Sequence, residues 1–188
     1  ATFVLDGIYL IGYRNQLFSA SGTSTSVNIN DCRFYAYRCA GGVIGVDKLK
    51  SFTLSNSHFA YGVTDAAGGL WVTTSGLVTN CQFESIYNNG GYRGGIIHIN
   101  TGHSPIVIAE STFHRIARHG TPGLAHGGPA VCIGAETGSS QPLIRDCDFT
   151  FCWSLMTGSA TGCAPIVGTV GGSWYIEDSR FEHNFISC

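Results

Sequence analysis

From Val27 onward the apolar residues come in short bursts, never in long runs. Val27 and Ile29, Phe52 and Leu54, Ile106 and Ile108, and Trp174 and Ile176 each sit two apart. That period marks a strand with one buried face. A second burst follows and recurs six times: acid or amide, Cys or Ser, any residue, Phe. It reads Asp31-Cys32-Arg33-Phe34, Asn56-Ser57-His58-Phe59, Asn80-Cys81-Gln82-Phe83, Glu110-Ser111-Thr112-Phe113, Asp146-Cys147-Asp148-Phe149 and Asp178-Ser179-Arg180-Phe181. Successive Phe residues lie 24 to 36 positions apart. A third burst lies just past a glycine pair, at Gly41-Gly42, Gly68-Gly69, Gly94-Gly95 and Gly127-Gly128, with Cys163-Ala164 in the equivalent place of the fifth unit. Self-similarity at such a period predicts one structural unit stacked along an axis.

The phase of the alternation locates a corner. Ile29 is five residues before Phe34. Both can point inward only if the alternation slips once between them. The slip falls on Asp31 and its counterparts Asn56, Asn80, Glu110, Asp146 and Asp178. Asn and Asp tolerate the left-handed backbone region and bond their own backbone, so they suit a one-residue corner; Glu110 suits it least. The glycine pairs supply the next corner, where positive φ is cheap.

Three strands and three corners per unit predict a right-handed parallel β-helix, an all-β solenoid of about six three-strand coils with rungs about 4.8 Å apart. Residues 1–188 are expected to form a single domain. Within it, 1–26 form an irregular first coil or partial cap and 27–188 the regular coils. The last coil is expected to be incomplete, because the chain stops at Cys188 before another glycine corner. Like residues then stack in ladders: Phe34, Phe59, Phe83, Phe113, Phe149 and Phe181 inside, Cys or Ser beside them, and Asn or Asp at the corner. Unit length varies mainly in the turns after Phe113 and Phe149, which are expected to project from one side of the rod.

The glycine pair with its apolar strand, followed by the small-x-Phe step, resembles the repeats of the chlamydial polymorphic outer membrane proteins. Those carry Gly-Gly-Ala-Ile and Phe-x-x-Asn motifs. The first is matched here by Gly41-Gly42-Val43-Ile44 and Gly94-Gly95-Ile96-Ile97, and more weakly by Gly68-Gly69-Leu70-Trp71; the second is intact only at Phe181-Glu182-His183-Asn184. The resemblance covers about residues 27–188. It implies a pectin-lyase-like β-helix on the outside of a cell, in an adhesive or structural role.

Composition narrows the function classes. A formal net charge of −2 and only two lysines, Lys48 and Lys50, leave no basic footprint for nucleic acid. No apolar run reaches the length of a membrane span. Eight cysteines without a Cys-x-x-Cys pair point to an oxidising compartment rather than to zinc. Cys32, Cys81 and Cys147 read as small buried residues, and a disulfide is expected among the turn cysteines, Cys152 with Cys163 or Cys188. His114, His119 and His126, with Arg115 and Arg118, share one turn without a repeated ligand spacing and read as a polar loop rather than a metal site. His58, His98 and His183 read as lateral surface residues.

Asp146 and Asp148 are a close acid pair, and Asp146 already has a corner role, so polysaccharide cleavage is the minority reading. Thr23, Thr25, Thr73 and Thr74 do not recur in register, which argues against an ice-binding face. A sugar-binding role would place Trp71, Tyr87, Tyr92 or Trp153 together on one outer face. The expectation is therefore an extracellular, cell-surface structural or adhesive solenoid, without a cofactor or a catalytic site. Its partners would be further copies of itself or adjacent β-helix segments, with glycans as the alternative partner. Open strand edges at its ends invite stacking into a filament.

Overall fold

A computed structural model describes residues 1–39, 42–64, 70–89, 95–100, 105–120, 130–134, 141–156, 166–170 and 174–187. Strands joined by single-residue bends make up these segments, and no helix occurs among them. The chain is a parallel β-solenoid. Its strands fall into four sheets, and the chain visits all four in order before returning to the first.

The first sheet has seven strands, stacked as Thr2–Asp6, Ser26–Asn30, Ser51–Ser55, Gly76–Thr79, Ile106–Ala109, Leu143–Arg145 and Tyr175–Glu177. The second also has seven: Tyr9–Ile11, Arg33–Tyr35, His58–Ala60, Gln82–Glu84, Thr112–His114, Asp148–Thr150 and Arg180–Glu182. The third and fourth have six strands each. The third runs from Arg38–Cys39 to Phe185–Ser187, and the fourth from Phe18–Ser21 to Val167–Val170.

Four sheets replace the expected three because each coil turns a second corner. The first corner column is Gly7, Asp31, Asn56, Asn80, Glu110, Asp146 and Asp178, with φ between 45° and 63°. Five residues later comes a second column, Gly12, Ala36, Tyr61, Ser85, Arg115, Phe151 and His183, with φ between 52° and 69°. A non-glycine residue in this region costs about 1–2 kcal/mol. The ladder offsets that cost by running unbroken through both bends. Asp31 N–H donates to Ser55 O at 3.2 Å and Asn56 N–H to Thr79 O at 3.2 Å. At the second corner Ala36 N–H reaches Ala60 O at 3.1 Å and Ser85 N–H reaches His114 O at 2.9 Å.

Each bend resets the alternation, so Val27, Ile29, Cys32, Phe34, Tyr37 and Cys39 all point inward and are buried. The Phe rings form one column. Neighbouring centroids from Phe34 through Phe59, Phe83, Phe113 and Phe149 to Phe181 are 4.5, 5.1, 4.9, 4.7 and 4.6 Å apart, with planes within 20° of parallel. That separation is the rung spacing itself, so parallel strands stack identical rings without adjustment. Burying each ring contributes about 1.5–3 kcal/mol.

Residues 1–26 are more regular than expected. They place strands in the first, second and fourth sheets and a single bridge, Arg14 to Arg38, at the third sheet position. Thr2 to Asp6 pair residue for residue with Ser26 to Asn30, and Leu10 takes the Phe position opposite Phe34. Gly7 and Gly12 keep the five-residue spacing of corners without the Asp/Asn signal that marks it elsewhere. Of the glycine pairs, Gly42 and Gly95 adopt φ of 96° and 110° at the approach to the fourth sheet. Gly41, Gly68, Gly69, Gly94, Gly127, Gly128 and the Cys163-Ala164 site lie outside the described residues. Gly62 answers a different need: the Tyr37 ring occupies the space that a Cβ there would fill.

Candidate functional site

The inner columns and corners fix what the outer wall can display. On the second sheet Phe34, Phe59 and Phe83 point in, so their strand neighbours point out. Arg33, His58 and Gln82 are register partners on three successive rungs, and so are Tyr35, Ala60 and Glu84. Ala60 is short and buried, which leaves room for Tyr35 and Glu84 to lean on His58 from either side.

The Tyr35 hydroxyl lies 2.6 Å from His58 Nδ1, and the rings meet edge-on with centroids 5.0 Å apart. His58 Nε2 lies 3.6 Å from a Glu84 carboxylate oxygen. These positions fit one tautomer: the hydroxyl donates to Nδ1, and Nε2–H faces the carboxylate. Burial pushes the His58 pKa below its ordinary value of 6.5; Glu84 pulls it up, and Arg33 pushes it down further. This lowering favours the neutral ring, which accepts the Tyr35 hydrogen bond at Nδ1. The Tyr9 and Tyr61 rings also neighbour the Tyr35 ring, with centroids 5.4 and 6.4 Å away.

Beside this chain a hollow of about 280 Å³ opens between Tyr35 and the first corner column, with Asp31, Arg33, Asn56, Asn80 and Gln82 on its walls. Its rim is a carboxamide ladder. Asn80 Nδ2 donates to Asn56 Oδ1 at 2.7 Å, Asn56 Nδ2 to Asn30 Oδ1 at 2.8 Å, and Asn30 Nδ2 to Asp6 Oδ1 at 2.7 Å. In the second coil the ladder therefore passes through Asn30, the last residue of the strand, and leaves the Asp31 carboxylate facing the hollow. Among the described residues Arg33 makes no ion pair and Gln82 no side-chain hydrogen bond.

The other corner residues, Glu110, Asp146 and Asp178, carry the bend and converge on no common point. Asp148, next to Asp146 in the sequence, is held by Arg180 Nε at 2.8 Å, and Arg180 also reaches Glu182 at 3.4 Å. The histidine-rich turn does not gather either. His114 faces outward, with Nδ1 2.9 Å from Thr150 Oγ1. Arg115 is a second-column corner, and Arg118 is fully buried. His126 lies outside the described residues, and no group of three metal-ligating side chains occurs among those described.

His98 is a correction: expected on the surface, it is only 2% exposed. It lies on the fourth sheet, which is covered on both sides, as Ile97, Ile99, Ile44, Gly45 and Val46 show. Of the aromatics expected on a sugar-binding face, Tyr87 and Trp153 share the third sheet with Ala117 between them, and Trp71 belongs to the fourth. Tyr92 lies outside the described residues.

Cys152, expected in a disulfide, is a buried free thiol that donates to Phe113 O at 3.3 Å. It points inward, just past the second corner, where no other coil presents a cysteine. Cys163 and Cys188 lie outside the described residues. Cys32, Cys39, Cys81 and Cys147 are also buried free thiols. Burial raises the Cys81 pKa to about 12 and those of Cys39, Cys147 and Cys152 to about 11. Cys32, Cys81 and Cys147 alternate with serines for a specific reason. Ser57 Oγ donates to Ser55 O at 2.7 Å and accepts Cys32 N–H at 3.1 Å; Ser111 and Ser179 do the same for Cys81 and Cys147. Asn184 takes the equivalent post at the second corner, with Oδ1 accepting Cys152 N–H and Nδ2 donating to Phe149 O, both at 2.8 Å. This gives the Phe-x-x-Asn motif a backbone-bonding role.

Two features escaped the sequence reading. One is the Tyr35–His58–Glu84 chain, whose members are 23 and 26 residues apart and meet only through stacking. The other is a buried polar column, Thr64, Asn88, Arg118 and Ser154, in register on the third sheet. Each lies five residues after a column Phe, and that offset was the available signal. No protein-family model, no curated protein and no solved structure matches this chain.

Proposed function

We propose that the chain is a structural and adhesive β-solenoid of the cell exterior. It acts as a rod that joins further β-coil at its ends and offers its side walls to partners. One observation carries this reading: the residues that recur are spent on stacking, and those that vary face outward. Phe, the Cys/Ser pair and the corner residues make inner columns and bends. The outward positions of the second sheet change from rung to rung, from Arg33 to His58, Gln82, Thr112 and Asp148.

A uniform frame with a variable wall suits recognition better than a single reaction. Likeness to the polymorphic outer membrane protein repeats adds support through the bonding role of Asn184. The exterior assignment rests on that likeness.

Light scattering and negative-stain imaging of the purified chain over a concentration series test the joining. Rods that lengthen with concentration support it, and a monomer of fixed length at the highest concentration overturns it. Antibody labelling of intact source cells tests the location.

A further inference from the structure

The hollow on the second sheet is built more firmly than a solvated wall needs. Tyr35 is contacted by His58 through its hydroxyl and by Tyr9 and Tyr61 through its ring. His58 is itself held between Tyr35 and Glu84. The rim carboxamides are locked in one orientation by their ladder, which spends the Nδ2 groups of Asn56 and Asn80 along the axis. The result is an aromatic ring beside an ordered carboxamide rim, so little conformational entropy is lost at those groups on binding, while the exposed Arg33 and Gln82 side chains are ordered by the ligand.

The unengaged groups define the ligand. Arg33 and Gln82 supply donors, and Asp31, Gln82 and Asn80 Oδ1 supply acceptors, all around one opening. A ligand that both donates and accepts at closely spaced points satisfies them, and sugar hydroxyls do so. Asp31 and Arg33 both line the opening, so a polyanion meets repulsion as well as attraction. A peptide side chain finds no apolar pocket there. Arg33, His58 and Gln82 stand about 4.8 Å apart along the axis, so the wall offers repeated contacts to an extended chain.

We infer that this hollow, between Tyr35 and the Asn56–Asn80 ladder, binds a short neutral oligosaccharide lying along the solenoid axis, with Tyr35 against a sugar ring and Arg33 and Gln82 on its hydroxyls. The inference specifies the adhesive half of the reading above and is independent of end-to-end joining.

The test is binding of the purified 188-residue chain to a panel of fluorophore-labelled oligomers of glucose, galactose, mannose and N-acetylglucosamine, with oligogalacturonate as the anionic comparator. At least one neutral oligomer is expected to bind. Arg33→Ala and Gln82→Ala should each weaken that binding about tenfold, the scale of one lost hydrogen bond to a bound group. Thr112→Ala, on the same wall beyond the hollow, should leave it unchanged. All three positions are outward, and unchanged thermal melts confirm that the variants fold. Binding to no neutral oligomer, binding indifferent to Arg33→Ala and Gln82→Ala, or binding of oligogalacturonate alone would each overturn the inference. Light scattering on the same samples reads the joining of ends separately, so the two ideas fail separately.

Discussion

The two corner columns have the same backbone and different residues. The first is Asp, Asn, Glu or Gly throughout; the second includes Ala36, Tyr61, Ser85, Arg115 and Phe151, which have little intrinsic liking for positive φ. Their φ values overlap, and both send the corner N–H to the carbonyl of the next rung. What separates them is the use of the side chain. In the first column Asn80 bonds Asn56 along the axis, and Asn56 bonds Asn30 on the coil before. The second column points its side chains outward, where Tyr61 steadies Tyr35 and Phe151 stacks on His183 with centroids 5.0 Å apart. A left-handed bend therefore needs no favourable residue once the strands on both sides are laddered.

The largest test acts on the strand between the columns. Phe83→Ala should cost about 3–5 kcal/mol and loosen both corners of its coil equally. Hydrogen exchange at Asn80 and Ser85 reads that out, and unequal loosening would show the corners to be independent. Next come β-branched replacements. Asn80→Val and Ser85→Val should each lose about 1–2 kcal/mol from backbone strain, measured by chemical denaturation. A negligible loss at Ser85 would mean that the second bend is soft. Glycine sharpens the contrast further. Ser85→Gly should be neutral or stabilising within about 1 kcal/mol, since it relieves strain at some cost in unfolded-chain entropy. Asn80→Gly should instead destabilise by about 0.5–1.5 kcal/mol through loss of its ladder bond.

Titration gives the smallest effects. His58 has a lowered pKa in the fold, so the unfolded chain takes up its proton first. Stability from this group is complete above about pH 6.5 and falls as the pH drops toward the folded value; His58→Gln should flatten that acid slope in melts run from pH 7 to 5. The buried thiols have the opposite sign. Their pKa values are raised from 9.0, so their contribution is complete below that value and declines as pH rises through it. Alkylation followed by mass spectrometry should leave Cys81, Cys147 and Cys152 unmodified in the native chain at pH 8 and modify them in denaturant. Rapid labelling of the folded chain would contradict their burial.

These contrasts also explain what could be read from sequence. The Phe column and the first corner were legible because one position demanded one kind of side chain on every rung. The second corner was silent because Ala36 and Phe151 share no chemistry, only a distance of five from Asp31 and Asp146. Residues 1–26 looked irregular because Leu10 stands in for Phe and glycine for Asp. The hollow was illegible because Arg33, His58 and Gln82 become neighbours only when the coils are stacked, and nothing local in the chain announces it. His98 misled because a strand covered on both sides loses the alternation that would reveal its faces.

The thiol–hydroxyl alternation implies a grammar for how such a rod can change length. Cys32 leans on Ser57, Cys81 on Ser111 and Cys147 on Ser179, so the coils come in couples. Excising a serine rung would set one cysteine beneath another and aim an amide proton at sulfur, a poor acceptor. Lengthening or shortening by whole couples keeps a serine on the rung after each of these cysteines, so evolution of the rod by duplication should proceed in even steps.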